Sequence, residues 1–133
     1  MNTLIFPEAR ANIEEAIKGF SDTELQQRAW IGRNAKPVGE CPSLKDALHW
    51  LFDDSGLGDG VLTCIGYMLY DEAEARSLEG LMSQLETLLG KYGYRAPAEN
   101  YINSQDWPSI VGAATACLQL LRANDRRNSV STV

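Results

Sequence analysis

The stretch Asp71–Gly90, DEAEARSLEGLMSQLETLLG, decides the fold of this chain. Its large apolar residues recur at intervals of three and four, which places them on one face of an α-helix. Asp71, followed three residues later by Glu74, fits a capping box at the start of that helix. Gly90 or Gly93 can end it. The stretch therefore predicts a long helix with one buried face, formed by Leu78, Leu81, Met82, Leu85, Leu88 and Leu89.

Similar patterns on both sides predict further helices. Apolar residues at helical spacing indicate helices over residues 7–20, 44–53 and 107–123. Pro7 and Pro108 suit the first turn of a helix, where a missing N–H is no loss. Ser21 and Glu24 fit a second capping box, which predicts a short helix ending near Ile31. Asn124 can cap the end of the last helix.

Two segments break the helical pattern. Residues 61–70, VLTCIGYMLY, are rich in β-branched and aromatic residues, and they predict a buried segment that is either extended or a short helix. Residues 125–133 have no apolar period, so we expect a disordered C-terminal tail. The sequence thus predicts an all-α fold: a compact bundle of about five helices in a single domain over 1–124, with a short extended segment near 61–70.

Composition points to a soluble protein of the cytoplasm. The chain is 44% apolar and 23% charged, as ordinary globular proteins are. We find neither a secretory signal nor an apolar run near the ~20 residues that a membrane helix needs, so no membrane contact is expected. Cys41, Cys64 and Cys117 are odd in number and far apart, which is typical of reduced, buried thiols.

The negative charge is concentrated in the middle of the chain. The net charge is −6, yet residues 46–86 hold nine acids against the single base Arg76, a net of −8. Such a balance disfavours direct binding to nucleic acid, whose phosphates need Lys and Arg. A one-signed surface instead favours association with a protein of opposite charge.

We find no pattern that indicates catalysis or a cofactor. His49 is the only histidine, and no nucleophile motif accompanies it. The acidic loop that begins at Asp53 fails the calcium-loop pattern, because the fifth position is Leu57 and the twelfth is Cys64. We therefore expect no enzyme activity and no cofactor. One alternative remains open, a small hydrolase that uses the carboxylates of this acidic loop; another is a homo-oligomeric adaptor or scaffold protein.

A set of short motifs resembles an uncharacterised family of small acidic bacterial proteins. The motifs span about residues 5–122. They are Phe6-Pro7-Glu8-x-Arg10, the run from Ser21-Asp22 to Gln27-x-x-Trp30, Leu51-Phe52-Asp53-Asp54, the segment 65–69 with Asp71 and Glu74, and Tyr101 with Trp107-Pro108. This resemblance implies no activity.

In its small size, acidity and lack of a catalytic motif, the chain also resembles the immunity proteins of contact-dependent growth inhibition (CdiI-type). Such proteins bind a toxin domain, often a basic nuclease, and block its active site. The resemblance implies a cognate protein toxin as partner. The charge cluster, with one aromatic anchor, supplies the candidate contact residues Asp53, Asp54, Asp59, Tyr70, Asp71, Glu72 and Glu74.

Overall fold

Six α-helices account for most of the residues that the computed structural model describes, which are 4–30, 44–49, 51–52, 60–94 and 96–130. The helices are α1 (Pro7–Ser21), α2 (Thr23–Leu25), α3 (Leu44–His49), α4 (Glu72–Tyr92), α5 (Ala98–Ile102) and α6 (Trp107–Val130). A π-helical turn, Gln26–Trp30, follows α2, and a 3₁₀ turn, Val61–Cys64, precedes α4. The predicted all-α fold is confirmed.

The three long helices α1, α4 and α6 form the core. Helix α6 packs against both α1 and α4, and α1 also contacts α3. The apolar stripe predicted for α4 faces inward, because all six of its predicted members are buried. Phe20 at the end of α1 packs between Trp30 and Trp107, with ring centroids 5.6 Å and 6.2 Å apart.

The junction between α1 and α2 differs from the predicted capping box. Asp22, not Ser21, caps α2, since its carboxylate accepts a hydrogen bond from the Leu25 backbone N–H at 3.0 Å. Ser21 is the last residue of α1, and its hydroxyl donates to the Lys18 carbonyl. The predicted second helix is thus three α-helical residues followed by the π-helical turn.

Residues 61–70 combine the two conformations that the sequence left open. The 3₁₀ turn ends at Cys64, and a tight turn then brings Ile65 back beside Leu69. The Gly66 backbone N–H donates to the Leu69 carbonyl at 2.8 Å. Gly66 has a φ of 93°, a backbone conformation that glycine adopts without a steric penalty.

Helix α6 is longer than predicted and continues to Val130. The expected disordered tail is therefore wrong for residues 125–130, and residues 131–133 lie outside the described part. Asn124 does not cap the helix but lies buried within it. The apolar period could not reveal this extension, because polar contacts, such as the ion pair between Arg10 and Asp125, dock it.

Candidate functional site

The predicted contact residues that the structure describes lie at the start of α4. They are Tyr70, Asp71, Glu72 and Glu74, whereas Asp53, Asp54 and Asp59 fall outside the described residues. Glu72 is exposed, and Tyr70 and Asp71 are half-buried. Glu74 is completely buried. Its prediction as a partner contact is therefore wrong, because no partner can reach its carboxylate.

The predicted capping interaction explains why Glu74 points inward. Asp71 caps α4, because its carboxylate accepts a hydrogen bond from the Glu74 backbone N–H at 2.9 Å. The Glu74 carboxylate reaches back and accepts from the Tyr70 backbone N–H at 2.8 Å. This is a capping box with its return bond shifted by one residue. It holds the Glu74 side chain against α1.

Arg10 of α1 is the partner that compensates the buried charge of Glu74. Two guanidinium nitrogens of Arg10 each donate to one carboxylate oxygen of Glu74, both at 2.8 Å. The same two nitrogens also donate at 3.0 Å to the backbone carbonyls of Met68 and Leu121. Arg10 thereby ties together α1, the segment before α4, α4 itself and α6.

Residues of α6 complete this buried cluster. The third guanidinium nitrogen of Arg10, Nε, donates to Asp125 at 2.8 Å. The Asn124 amide donates to Glu74 at 2.6 Å and to Asp71 at 3.3 Å. The Arg10 guanidinium also lies over the Tyr70 ring, 4.4 Å from its centroid.

Every hydrogen-bond donor of Arg10 is occupied by these contacts. A guanidinium has five N–H groups, and the five acceptor atoms lie on Glu74, Asp125 and the two carbonyls. Burial disfavours the charged guanidinium and by itself lowers the pKa of Arg10. The hydrogen bonds and negative charge of Glu74, together with the charge of Asp125, outweigh this effect and raise the pKa of Arg10. A saturated guanidinium has no free donor for a substrate, so the cluster acts as a structural tie between helices.

Glu14 borders this cluster, and its carboxyl has a raised pKa. Its carboxyl lies 3.5 Å from Arg10 Nε and neighbours Asp125. Burial raises the pKa of Glu14 to about 7, and the hydrogen bond and charge of Asp125 contribute, although Arg10 and Arg122 oppose the shift. A neighbouring negative charge disfavours the charged form of a buried carboxyl group, which is the direction of this shift. The interface of α1 and α6 therefore contains a group that titrates near neutral pH.

The outer face of α4 carries an acidic stripe of Glu72, Glu79 and Glu86, all exposed. Residues seven apart on an α-helix lie on nearly the same face, with about 10 Å between neighbours. Arg76 pairs with Glu72 at 3.0 Å on the surface. Glu79 and Glu86 were not among the contact residues predicted from the sequence, although the regular interval of seven residues from Glu72 to Glu79 and from Glu79 to Glu86 could have identified them.

A groove of about 320 Å³ opens between α4 and α6. Its polar side chains mostly satisfy one another: Lys91 donates to Asp106 at 2.9 Å, and Ser109 donates to Gln84 at 2.8 Å. Hydrogen bonding to Lys91 lowers the pKa of Asp106, which favours its charged form. These groups are paired with one another along the groove.

The other reactive side chains of the described part are poorly placed for nucleophilic chemistry. Cys64 and Cys117 are buried, as expected of reduced thiols. Burial raises the pKa of Cys117 to about 11, which disfavours the reactive thiolate. His49 is exposed at the end of α3. Within the described residues, no three His, Cys, Asp or Glu side chains gather as a metal site would require.

Comparison with known proteins identifies the family. A family model described as a domain of unknown function (DUF7945) matches residues 4–129. The chain belongs to this family. No solved structure matches it. Among the described residues, none of the helices has both the length and the apolar character needed to span a membrane.

Several motif positions noted in the sequence occupy buried polar contacts. Arg10 pairs with Glu74, as described above, and Asp71 caps the same helix. Buried Gln26 accepts a hydrogen bond from the Trp107 indole at 2.9 Å and donates to the carbonyls of Gly19 and Phe20. These positions hold helices together, so the motifs that they form report on the fold rather than on a reaction.

Proposed function

We propose that this chain is an immunity protein that binds a cognate toxin domain, a basic nuclease, and occludes its active site. The observation that carries the proposal is the acidic stripe on the outer face of α4, Glu72, Glu79 and Glu86. A nuclease holds the phosphates of its substrate in a cationic cleft. An acidic, rigid protein face is the electrostatic complement of such a cleft, and it speeds the encounter with it.

The buried cluster supports the proposal by fixing the start of α4. Because Arg10 joins α4 to α1 and α6, the exposed acids of α4 stand on a preorganised scaffold. Preorganisation reduces the conformational entropy lost on binding. Tyr70 is half-buried with its ring against Arg10, so its partly exposed side can serve as a rigid aromatic anchor. The proposed contact residues are Tyr70, Asp71, Glu72, Glu79 and Glu86, with Asp53, Asp54 and Asp59 from the acidic loop.

Toxin neutralisation can be tested by expressing this chain together with the product of the adjacent reading frame. We expect that product to arrest growth of a bacterial host and the wild-type chain to restore it. The variant Glu79→Lys/Glu86→Lys should lose protection, because it places two cations on the face that meets the basic toxin. The control Glu15→Lys/Glu99→Lys makes the same charge change at exposed positions on α1 and α5. If both variants protect the host equally, α4 has no role in neutralisation. If the wild-type chain does not relieve the growth arrest, the immunity function is refuted.

Binding kinetics test the electrostatic part of the proposal. With purified partners, association with the wild-type chain should slow by about tenfold or more between low and high salt, because salt screens surface charges. The variant Asp53→Ala/Asp54→Ala should associate more slowly at low salt and depend less on salt. The matched control is Glu15→Ala/Glu99→Ala. Association rates of the wild-type chain that are equal at low and high salt would contradict electrostatic steering.

A further inference from the structure

The N-terminal segment and the turn before α4 together expose an apolar surface. Of the six large apolar side chains that are exposed in the described part of the chain, five come from these two segments. Their exposed fractions lie between 36% and 62%. We call this surface the N-terminal patch; it consists of Ile5, Phe6, Leu62, Ile65 and Tyr67.

Backbone contacts hold the members of the patch together. The Ile5 N–H donates to the Gly66 carbonyl at 3.2 Å, and the Phe6 N–H donates to the Tyr67 carbonyl at 2.7 Å. The rings of Phe6 and Tyr67 stack with centroids 5.9 Å apart and an interplanar angle of 16°. The patch is therefore one ordered surface rather than a set of scattered side chains.

The remaining members join the patch through the 3₁₀ turn. The Ile65 N–H donates to the Leu62 carbonyl, and side chains three residues apart in a 3₁₀ turn lie nearly above one another. Leu4, Met68 and Leu69 are buried in the core beneath, which anchors both segments. The five outward side chains thus remain uncovered because the fold buries their neighbours instead. Contiguous exposed apolar surface in a soluble domain is typical of a binding site.

The charges beside the patch indicate which partner fits it. Residues 4–9 and 60–72 contain three acids, Glu8, Asp71 and Glu72, and no Lys, Arg or His. Nearby Arg76 pairs with Glu72 and offsets one of these three charges, so the border keeps a net charge of −2, and Arg10 is buried with Glu74. An apolar centre with an acidic border complements a surface that presents apolar side chains flanked by Lys or Arg.

We propose that the N-terminal patch is the docking surface for a protein segment that combines a large apolar side chain with neighbouring Lys or Arg residues. A second copy of this chain fits less well, because a symmetric contact would bring the two acidic borders together. An anionic membrane surface would repel the same acids. The inference depends only on the patch and its border, and it holds whether or not the partner is a toxin.

A peptide-display screen against the full-length chain tests the proposal. Enriched peptides should combine aromatic or aliphatic residues with Lys or Arg, and a synthetic copy should bind with micromolar affinity. The variant Phe6→Ser/Tyr67→Ser should weaken that binding by about tenfold or more, as expected for central aromatic anchors. Tyr94→Ser removes an exposed aromatic residue outside the patch and should leave binding unchanged. Glu8→Gln/Glu72→Gln should weaken binding at low salt.

Several outcomes would overturn the proposal. One is that the enriched peptides bind the Phe6→Ser/Tyr67→Ser variant as tightly as they bind the wild-type chain. Another is that the screen yields only peptides without Lys or Arg. Circular dichroism would show whether that variant folds; if it does not, Ile5→Ser/Leu62→Ser takes its place. Sedimentation showing a dimer that these variants abolish would assign the patch to a second copy. Flotation with phosphatidylglycerol vesicles, lost in the variants, would assign it to a membrane.

Discussion

Arg10 and Glu74 lie 64 residues apart in the sequence, yet they form a buried ion pair with two parallel hydrogen bonds of 2.8 Å. Their side chains are 5% and 0% exposed. The energetic importance of this pair comes less from its own attraction than from the cost of breaking it. Removing one partner leaves the other charge buried without compensation.

We predict that Arg10→Met lowers the free energy of unfolding by about 3–5 kcal/mol, because the Glu74 carboxylate is then buried without its cation. The double variant Arg10→Met/Glu74→Met should be more stable than the sum of the single changes implies. Urea denaturation of the four proteins in this cycle measures the coupling. The control Arg76→Met breaks an exposed ion pair with Glu72 and should cost less than about 1 kcal/mol. Similar losses for Arg10→Met and Arg76→Met would contradict the prediction.

Glu14 should make the stability depend on pH near neutrality. Its pKa is raised to about 7 in the folded chain, so the folded state binds more protons than the unfolded state between the ordinary pKa of a glutamate and about 7. The stabilising contribution of Glu14 is therefore complete at pH values below its pKa in the unfolded chain. It is lost as the pH rises through its pKa in the folded chain.

The variant Glu14→Gln tests this dependence, because glutamine mimics the protonated carboxyl at every pH. At about pH 9 we expect it to be more stable than the wild-type chain by about 1–3 kcal/mol, and at about pH 5 the two should be similar. Thermal melts at both pH values measure the difference. Glu15→Gln changes an exposed neighbour on α1 and serves as the control. A Glu14→Gln chain with no advantage at high pH would contradict the raised pKa of Glu14.

Gln26 should be essential to the packing of α1, the π-helical turn and α6. It is completely buried, accepts from the Trp107 indole N–H and donates to two carbonyls at the end of α1. Gln26→Leu leaves these groups unsatisfied, and we expect a loss of about 2–4 kcal/mol in the free energy of unfolding. Gln27→Leu, at an exposed position, should cost far less. Equal effects of the two substitutions in urea denaturation would show that the buried hydrogen bonds contribute little.

Gly19 should tolerate no side chain. A Cβ atom at this position would lie 2.8 Å from Cζ2 and 3.1 Å from Cη2 of the Trp30 ring. Gly19→Ala should therefore destabilise the chain by about 1–3 kcal/mol through overpacking. Gly80→Ala meets open space in the middle of α4 and should stabilise it by about 0.5–1 kcal/mol. Thermal denaturation that ranks the two variants in the opposite order would contradict the close contact between α1 and Trp30.

The sequence predicted the helices well where their apolar period was strong and their ends were marked. Helix α4 begins at the predicted cap Asp71 and ends at Gly93, one of the two predicted glycines. The sequence predicted the residues of the candidate site less well. Asp71 and Glu74 were selected from the same short motif, yet one is half-exposed and the other is buried.

Local patterning by itself determined the all-α class and the inward face of α4, because helical periodicity is a property of neighbouring residues. The extent of α6, the burial of Glu74 and the exposure of the N-terminal patch were decided only by the tertiary structure. Each depends on contacts between distant segments, such as Asp125 with Arg10, Glu74 with Arg10, and Phe6 with Tyr67. A charge can be buried only where the fold supplies its partner, and the period of a single helix carries no information about that partner.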